Sequence, residues 1–357
     1  MPATEVQRAA PAQRRISYRF LSLLISALLV VAGGAVMYNR VDRGSILAVW
    51  TNLNPFLVAA AGVSYWLQNP GNALRLQRII VWSTKATGAR APSLWFLFKL
   101  TCSSMFVAVA APIGLAGDAA KIVALRLFGS LSITESARVT LFDRVVGAQS
   151  LGIIGLVALV LQTVRGIDRG IILSQLALFA GIITAVILLI LAPKVLALFR
   201  HQFVHRIAHV FGGYRSIVIP RRVGVQLAIA FVNFLFAWAT LYLLVRAAGL
   251  TSDVWIIGSF IPLLQFINGL PFLYMGWGGR ELAMAATIGA YGNLSLDETL
   301  AISIAWGVVL ILSSVVNGVF LLGHWRAGGE QPKAIDVPTP PPQDLRPLGN
   351  SSGIKIT

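Results

Sequence analysis

The chain has 357 residues, of which 57% are hydrophobic and only 12% are charged, and its mean hydropathy is +0.78. A soluble domain is about 25% charged, so this composition excludes a soluble protein, a secreted disulfide scaffold and a disordered regulator. The net charge of +16 does not indicate a nucleic-acid partner, because membrane proteins collect Lys and Arg in their cytoplasmic loops. The composition therefore predicts a polytopic membrane protein.

Apolar blocks follow a basic N-terminal segment, residues 1–19. A helix of about 20 apolar residues is long enough to cross a bilayer. The first block also fits a signal peptide, but the blocks after it favour a retained helix. A proline-rich sequence predicts a disordered tail over 326–357, which leaves 20–325 as the membrane domain. The predicted crossings are 20–37, 46–67, 145–164, 171–191, 223–245 and 300–323.

Two segments, 68–92 and 193–222, contain Lys and Arg but no acidic residue, and we interpret both as linkers. The positive-inside rule places both in the cytoplasm, so an even number of crossings must separate them. Three apolar blocks lie between them, and the proline-interrupted block 93–113 is the one that we predict to re-enter or form a hairpin. Three apolar blocks also follow residue 222, so a cytoplasmic C-terminal tail requires that 254–274 is a second broken element. We therefore predict that both termini lie in the cytoplasm.

Similar sequences follow both exceptional blocks, as in an internal repeat. Gly, Ser and Glu follow an acidic residue at offsets of 11, 14 and 17 in both copies: Asp118, Gly129, Ser132 and Glu135, and Glu281, Gly292, Ser295 and Glu298. The Ser–Glu spacing predicts a capping box at a helix start. Three predicted crossings separate the copies, so we expect them in opposite orientations, an arrangement typical of transporters.

The strings that carry the repeat resemble a known membrane family. The family's first pattern is a proline, glycines, an acid and a basic residue, followed by an acid–Arg pair, and it occurs at 112–147 in PIGLAGDAAKIVALRLFGSLSITESARVTLFDRVVG. The family's second pattern is glycines followed by Arg-Glu, and it occurs at 276–301 in GWGGRELAMAATIGAYGNLSLDETLA. Together they resemble the lysylphosphatidylglycerol synthase transmembrane family, which includes the flippase half of the bacterial multiple peptide resistance factor. The resemblance covers roughly 15–325. It implies a lipid flippase with two inverted re-entrant elements around a head-group cavity.

Two features depart from the family pattern. No aminoacyl-transferase domain follows residue 325, so we expect that the chain does not itself aminoacylate a lipid. Positions 116–118 read Ala-Gly-Asp, where many family members have Gly-Gly-Asp. The resemblance leaves the lipid open among anionic, aminoacylated and polyprenyl-linked lipids.

Charged residues in the motif regions are candidates for substrate binding, since a charge at membrane depth costs about 3 kcal/mol or more. The candidates are Asp118, Lys121, Arg144, Arg280 and Glu281. The cations would hold a lipid phosphate. The acids would orient the cations, compete with the phosphate to allow its release, face a cationic head group or carry a coupling proton. The alternative is that these residues form internal ion pairs that only lock helix ends. Lys99, Arg126 and Asp143 are weaker candidates, because snorkelling at helix ends explains them as well.

Glycines precede the charged residues in both copies: Gly114, Gly117, Gly276, Gly278 and Gly279. They permit positive φ angles and close backbone approach. Both groups lie just before predicted short helices, whose free N–H groups can bind an anion. Packing is the commoner role of glycines in a membrane turn.

Catalytic and metal-binding signatures are missing from the sequence. It lacks a Gly-x-Ser-x-Gly elbow, a His-Glu-x-x-His helix and a P-loop. His201, His205 and His209 share one helix stripe, but an interfacial amphipathic helix explains them better than zinc. The single Cys102 excludes an internal disulfide. We therefore predict no metal, no cofactor and a transporter rather than an enzyme.

The sequence thus predicts an all-α, polytopic membrane helix bundle with two inverted re-entrant or broken elements. We expect it to move an anionic, aminoacylated or polyprenyl-linked lipid across a bacterial cytoplasmic membrane. The alternative is a membrane enzyme, or an accessory subunit of a lipid or glycan assembly pathway. Membrane lipids with anionic head groups are the expected partners. A homo-oligomer and a separate lipid-modifying enzyme stay open as further partners.

Overall fold

The regular structure of the chain is helical throughout its described residues, with no strand among them. The computed structural model describes residues 42–83, 92–111, 115–196, 213–270 and 273–326. The predictions for the basic N-terminal segment, the first apolar block, the three histidines and the proline-rich tail concern residues outside these ranges.

The helices are numbered here in chain order. They are α1 Arg43–Thr51, α2 Pro55–Trp66, α3 Gln68–Ser83, α4 Leu94–Ala110, α5 Ala116–Phe128, α6 Ile133–Val164, α7 Arg169–Leu196, α8 Pro220–Ala247, α9 Val254–Asn268, α10 Gly279–Met284 and α11 Leu296–Arg326. Short 3-10 turns at Gly213–Ser216 and Tyr274–Gly276 precede α8 and α10. A π-helical turn at Ala285–Gly289 continues α10.

Four helices, α6, α7, α8 and α11, are long and apolar enough to cross a membrane. They contain the predicted crossings 145–164, 171–191, 223–245 and 300–323, and each helix is longer than its predicted block. Many of their large apolar side chains are exposed on the protein surface, as a lipid-facing surface requires. The chain is therefore a multi-pass membrane protein built of helices.

The predicted crossing 46–67 is not one straight helix. The axes on either side of its break, between Thr51 and Pro55, differ in direction by 86°. A residue that precedes proline avoids the helical conformation. Asn54 instead caps α2, because its side-chain oxygen accepts hydrogen bonds from the N–H groups of Phe56 and Leu57. The Asn54–Pro55 pair therefore divides this apolar block into two helices.

The segment 68–92, interpreted above as a linker, is helical over Gln68–Ser83. This helix, α3, buries an apolar stripe at spacings of three and four residues: Ala73, Leu76, Ile79 and Ile80. The basic residues of the segment lower its mean hydropathy, so the apolar stripe is not apparent from composition alone. The count of crossings depended on two linkers, and the segment 68–92 is not a linker over its whole length. The cytoplasmic position of both termini therefore stays a prediction.

The two blocks predicted to be exceptional form short helices. α4 has 17 residues and α9 has 15, whereas a crossing helix needs about 20. Each packs on the helix after it, α4 on α5 and α9 on α10. The first pair is so close at Gly117 that an added Cβ would lie 2.6 Å from the carbonyl oxygen of Ser104. Each block therefore forms a helix too short to cross, packed against the helix that follows it.

The segments that follow these helix pairs share their local geometry at matching positions. The matching features are Gly129 and Gly292, whose N–H groups bond to Leu125 and Ile288 four residues back; Ser130 and Asn293, with φ of 56° and 57°; and reciprocal hydrogen bonds of Ser132 with Glu135 and of Ser295 with Glu298. These hydrogen bonds confirm the two predicted capping boxes. The opposite orientation of the two copies stays a prediction.

Candidate functional site

A group of charged side chains, called the first cluster below, lies where α3, α5 and α6 pack together. Its members are Arg75, Asp118, Lys121, Asp143 and Arg144. Arg144 donates two hydrogen bonds to Asp118, from Nε at 2.9 Å and from Nη2 at 3.0 Å. Asp143 accepts from Arg75 Nε at 2.8 Å and from Lys121 Nζ at 3.2 Å. The first cluster thus joins three helices by charge.

Helix geometry explains this pairing. Asp118 and Lys121 lie three residues apart on α5 and so share a face, which packs against α6. Asp143 and Arg144 are neighbours on α6 and point about 100° apart, so each takes a different partner. The three cations exceed the two carboxylates by one positive charge. The Arg144 side chain is 50% exposed, which leaves one cation of the cluster accessible.

The second cluster joins α10 to α11 and is sealed. Its members are Trp277, Arg280, Glu281, Ser303 and Trp306. Arg280 is completely buried and donates to Glu281 Oε1 from Nη2 at 2.9 Å, and to Ser303 Oγ from Nε at 3.1 Å. Ser303 in turn donates to Glu281 Oε1 at 2.8 Å. A buried arginine is thus neutralised by the next residue in the chain.

Two tryptophans enclose the Arg280 guanidinium. Its Cζ atom lies 5.1 Å from the ring centroid of Trp277 and 5.7 Å from that of Trp306, within the range of cation–π attraction. Gly307 leaves the space that the guanidinium fills, because a Cβ at this position would lie 2.8 Å from Arg280 Nη2. Two donors still have no acceptor, namely Nη1 of Arg280 and Nε1 of Trp306.

The turn before α10 uses two of the predicted glycines in the left-handed region. Gly276 has φ 75° and Gly278 has φ 82°, angles that favour glycine. The N–H of Gly278 donates to Glu281 Oε2 at 2.7 Å. The Glu281 carboxylate therefore accepts a hydrogen bond from one of the N–H groups that we expected to be free to bind an external anion. Gly279 packs closely on Leu273, and Gly114 lies outside the described residues.

A polar seam, defined here as Gln68, Asn69, Gln265 and Asn317, connects α9 to the C-terminal half of α11. Asn317 Oδ1 accepts from Trp66 Nε1 at 3.0 Å and from Asn69 Nδ2 at 3.3 Å. Gln265 Nε2 lies 3.4 Å from Gln68 Oε1. The Gln68 amide nitrogen and both amide atoms of Asn268 on α9 are buried without a partner. These hydrogen bonds link α9, through α3, to the part of α11 that packs against α4.

Helix α11 contacts both broken elements at different levels. Ser303 bonds to Arg280, whereas Gly318 approaches Phe106 of α4 so closely that an added Cβ would lie 2.9 Å from its ring. At 1.5 Å per residue, these two contacts are about 22 Å apart along the helix. The two broken elements therefore meet the same helix at well-separated depths.

The five predicted site residues all fall in these two clusters. Asp118, Lys121 and Arg144 are in the first, and Arg280 and Glu281 are in the second. The weaker candidates are divided: Asp143 is a central member of the first cluster, Lys99 lies over the Trp95 ring at 5.3 Å, and Arg126 is exposed on α5.

Sequence reasoning missed other members of the clusters: Arg75, Trp277, Ser303 and Trp306. The apolar stripe of α3 is the signal that places Arg75 in the bundle. The other three carry no comparable signal. Among the described residues, no group of three or more His, Cys, Asp or Glu side chains is arranged to hold a metal ion.

The amino-acid sequence matches a known family over most of its length. The model of the family described as lysylphosphatidylglycerol synthase TM region matches residues 19–318. This range contains both charged clusters and the polar seam. Compared with proteins of curated function, the chain has no match.

Proposed function

The chain belongs to the lysylphosphatidylglycerol synthase transmembrane family, and from this premise we propose that it is a lipid flippase. It moves an anionic, aminoacylated or polyprenyl-linked lipid across the cytoplasmic membrane of a bacterium. Both of its termini lie in the cytoplasm. The chain acts as a transporter rather than an enzyme, with membrane lipids as its partners.

One observation carries this proposal: charged side chains, including the buried Asp118, Asp143, Arg280 and Glu281, form two clusters at the two broken elements of a membrane helix bundle. Buried charges are rare in membrane-spanning segments, and those that occur usually mark a pathway for a polar substrate. Helix crossing alone does not need them, because the long helices α7 and α8 include no buried charged side chain in their described parts. The clusters therefore support a role in handling a polar head group.

The accessible first cluster is where a head group enters this pathway. Arg144 is half exposed and holds Asp118 by two hydrogen bonds, so a lipid phosphate can replace the carboxylate on the same guanidinium fork. The return of Asp118 then releases the phosphate. The acid thus keeps Arg144 from binding its substrate irreversibly.

The sealed second cluster forms the opposite end of the pathway. The two broken elements are inverted repeats, and alternating access exposes one cluster and then the other. The head group passes along the polar seam while its acyl chains stay in the surrounding lipid. The matching helix ends and capping boxes of the two copies support this symmetry.

The test is transport by the purified chain in lipid vesicles. Fluorescent phosphatidylglycerol in the inner leaflet is protected from dithionite, so transport appears as extra loss of fluorescence. We expect this loss with the natural chain and background loss with the double variant Asp118→Asn, Glu281→Gln.

The matched control is Asp168→Asn, the same exchange at an exposed residue that caps α7. Asparagine caps helices as well as aspartate does, so this variant keeps full activity. Equal transport by the double variant and the natural chain would remove both clusters from the mechanism. Absence of transport by the natural chain with every lipid class named above would overturn the flippase proposal itself.

A further inference from the structure

Every oxygen of the buried carboxylates already accepts a hydrogen bond. Among the described residues the buried acids are Asp118, Asp143 and Glu281. Their donors are Arg144 for Asp118; Arg75 and Lys121 for Asp143; and Arg280, Ser303 and the N–H of Gly278 for Glu281. Each carboxylate is thus already paired with at least one cationic side chain, and an ammonium group that entered either cluster would add positive charge beside that cation. The clusters are therefore poorly suited to a cationic head group.

The unused hydrogen-bonding capacity of the second cluster is that of donors. Nη1 of Arg280 and Nε1 of Trp306 are buried and have no acceptor. Buried polar groups without a partner are rare in folded proteins. The guanidinium and the indole N–H can only donate, so the group that satisfies them must be an acceptor.

The two orphaned donors belong to neighbouring side chains. The Arg280 Cζ atom is 5.7 Å from the centroid of the Trp306 ring, and both side chains are fully buried. Arg280 directs Nε and Nη2 to Glu281 and Ser303, which leaves the Nη1 side of the guanidinium unused. One cation and one neutral donor side by side suit an oxyanion.

The charge balance of the first cluster points the same way. Arg75, Lys121 and Arg144 face Asp118 and Asp143, so one positive charge is uncompensated within the cluster. A phosphate that bound there would complete the balance. A head group with two ammonium groups, such as that of lysylphosphatidylglycerol, would increase the excess.

Resting on the proposed flippase function, we infer that the transported head group is a phosphate anion without an ammonium group. Nη1 of Arg280 and Nε1 of Trp306 bind its phosphate oxygens when the second cluster opens. This assignment narrows the candidate lipids, because it removes aminoacylated lipids from the substrates. The lipid head group is the source of the phosphate, although inorganic phosphate presents the same oxygens.

The first experiment compares ligands on the full natural chain in mild detergent, by isothermal titration calorimetry. The probes are short-chain phosphatidylglycerol, short-chain lysylphosphatidylglycerol and inorganic phosphate. We expect phosphatidylglycerol to bind at least about tenfold more tightly than its lysyl derivative, because the two ammonium groups of the lysyl derivative are repelled by the uncompensated cation of the first cluster. Equal or tighter binding of the lysyl derivative overturns the inference without any variant.

The second experiment removes one donor and keeps the aromatic ring. Trp306→Phe lacks the indole N–H, and we expect it to bind phosphatidylglycerol about tenfold more weakly. The control, Trp255→Phe, makes the same exchange at a side chain that is 48% exposed, and it binds like the natural chain. Unchanged affinity in a folded Trp306→Phe variant overturns the subsite. Where this variant does not fold, the comparison of ligands on the natural chain decides.

Two further measurements distinguish lipid phosphate from inorganic phosphate as the ligand, and the head-group inference from the flippase proposal. If inorganic phosphate competes with phosphatidylglycerol, and Trp306→Phe weakens the binding of phosphate, the subsite accepts an oxyanion from either source. Lipid binding that resists phosphate but falls in Trp306→Phe supports a subsite specific to the lipid. A chain that transports lysylphosphatidylglycerol but not phosphatidylglycerol is a flippase without this specificity, whereas selective binding without transport overturns only the flippase.

Discussion

The two charged clusters lie at comparable places in the chain but differ in exposure and in charge. The first is open at Arg144, whose side chain is 50% exposed, and it has one cation in excess. The second is closed around Arg280, which is completely buried, and its charges balance. An exposed pair is easily exchanged with solvent or substrate, whereas a buried pair separates only when the helices around it move. The difference therefore leaves the first cluster accessible and the second closed.

The local backbone differs in the same way. The first copy continues after its turn as a regular helix, α5, of 13 residues. The second has three residues with positive φ, namely Met275, Gly276 and Gly278, then six residues of α10 and a π-helical turn. π-helical turns within helices are often found at functional sites. Among the described residues of the two copies, backbone irregularity is thus greater beside the sealed cluster.

The largest expected effect is that of Glu281→Gln. The substitution leaves Arg280 buried without a counter-charge and weakens the cap at Gly278, so we expect a loss of about 3–5 kcal/mol in stability together with loss of transport. Thermal unfolding in detergent and the vesicle assay measure the two losses. The double variant Arg280→Met, Glu281→Gln removes both charges, and it should recover most of the stability but no transport. A single variant with natural stability would mean that the pair is not sealed in the membrane.

The first cluster should show two effects of different size. Asp143 is buried and holds two cations, so Asp143→Asn is expected to cost about 3 kcal/mol. Asp118 faces a half-exposed arginine that can turn to solvent, so Asp118→Asn should cost less than about 1 kcal/mol. Unfolding of the two variants side by side checks this order. The reverse order would show that Arg144 is as constrained as Arg75, and the entry step proposed for the head group would fail.

Glycine packing gives a third, smaller effect at the first broken element. In Gly117→Ala the new methyl group would meet the backbone of α4, which cannot move as a flexible side chain does, so we expect a loss of about 1–3 kcal/mol. Gly62→Ala on α2 is the matched control, because nothing lies within 4 Å of its added Cβ. Equal melting temperatures of the two variants would contradict the close pairing of α4 with α5.

Much of the fold is readable from the sequence because hydropathy decides it. The four long crossings are apolar over their whole length, and the structure confirms them. Two features needed finer signals than block hydropathy. The break before Pro55 depends on one dipeptide, and α3 combines an apolar stripe with enough charge to look like a linker.

Part of the two clusters could be selected from the sequence, but the contacts of these residues could not. A charge in an apolar sequence is conspicuous, which is why Asp118, Arg280 and Glu281 could be selected. Their partners lie far along the chain: Arg75 is 68 positions from Asp143, and Ser303 is 22 from Glu281. Without the packing of the helices, no spacing rule connects such residues.

The smallest effect expected is that of Ser303→Ala, which asks what keeps the second cluster closed. Ser303 accepts from Arg280 and donates to Glu281, but the guanidinium keeps its own bonds to the carboxylate at 2.9 and 3.3 Å. Loss of the hydroxyl should therefore cost about 1 kcal/mol, with transport retained. Ser174→Ala, at an exposed serine of α7, should change neither stability nor transport. A loss in Ser303→Ala as large as that in Glu281→Gln would mean that the hydroxyl, rather than the ion pair, holds α10 against α11, and that the second cluster opens by releasing the two hydrogen bonds of this hydroxyl.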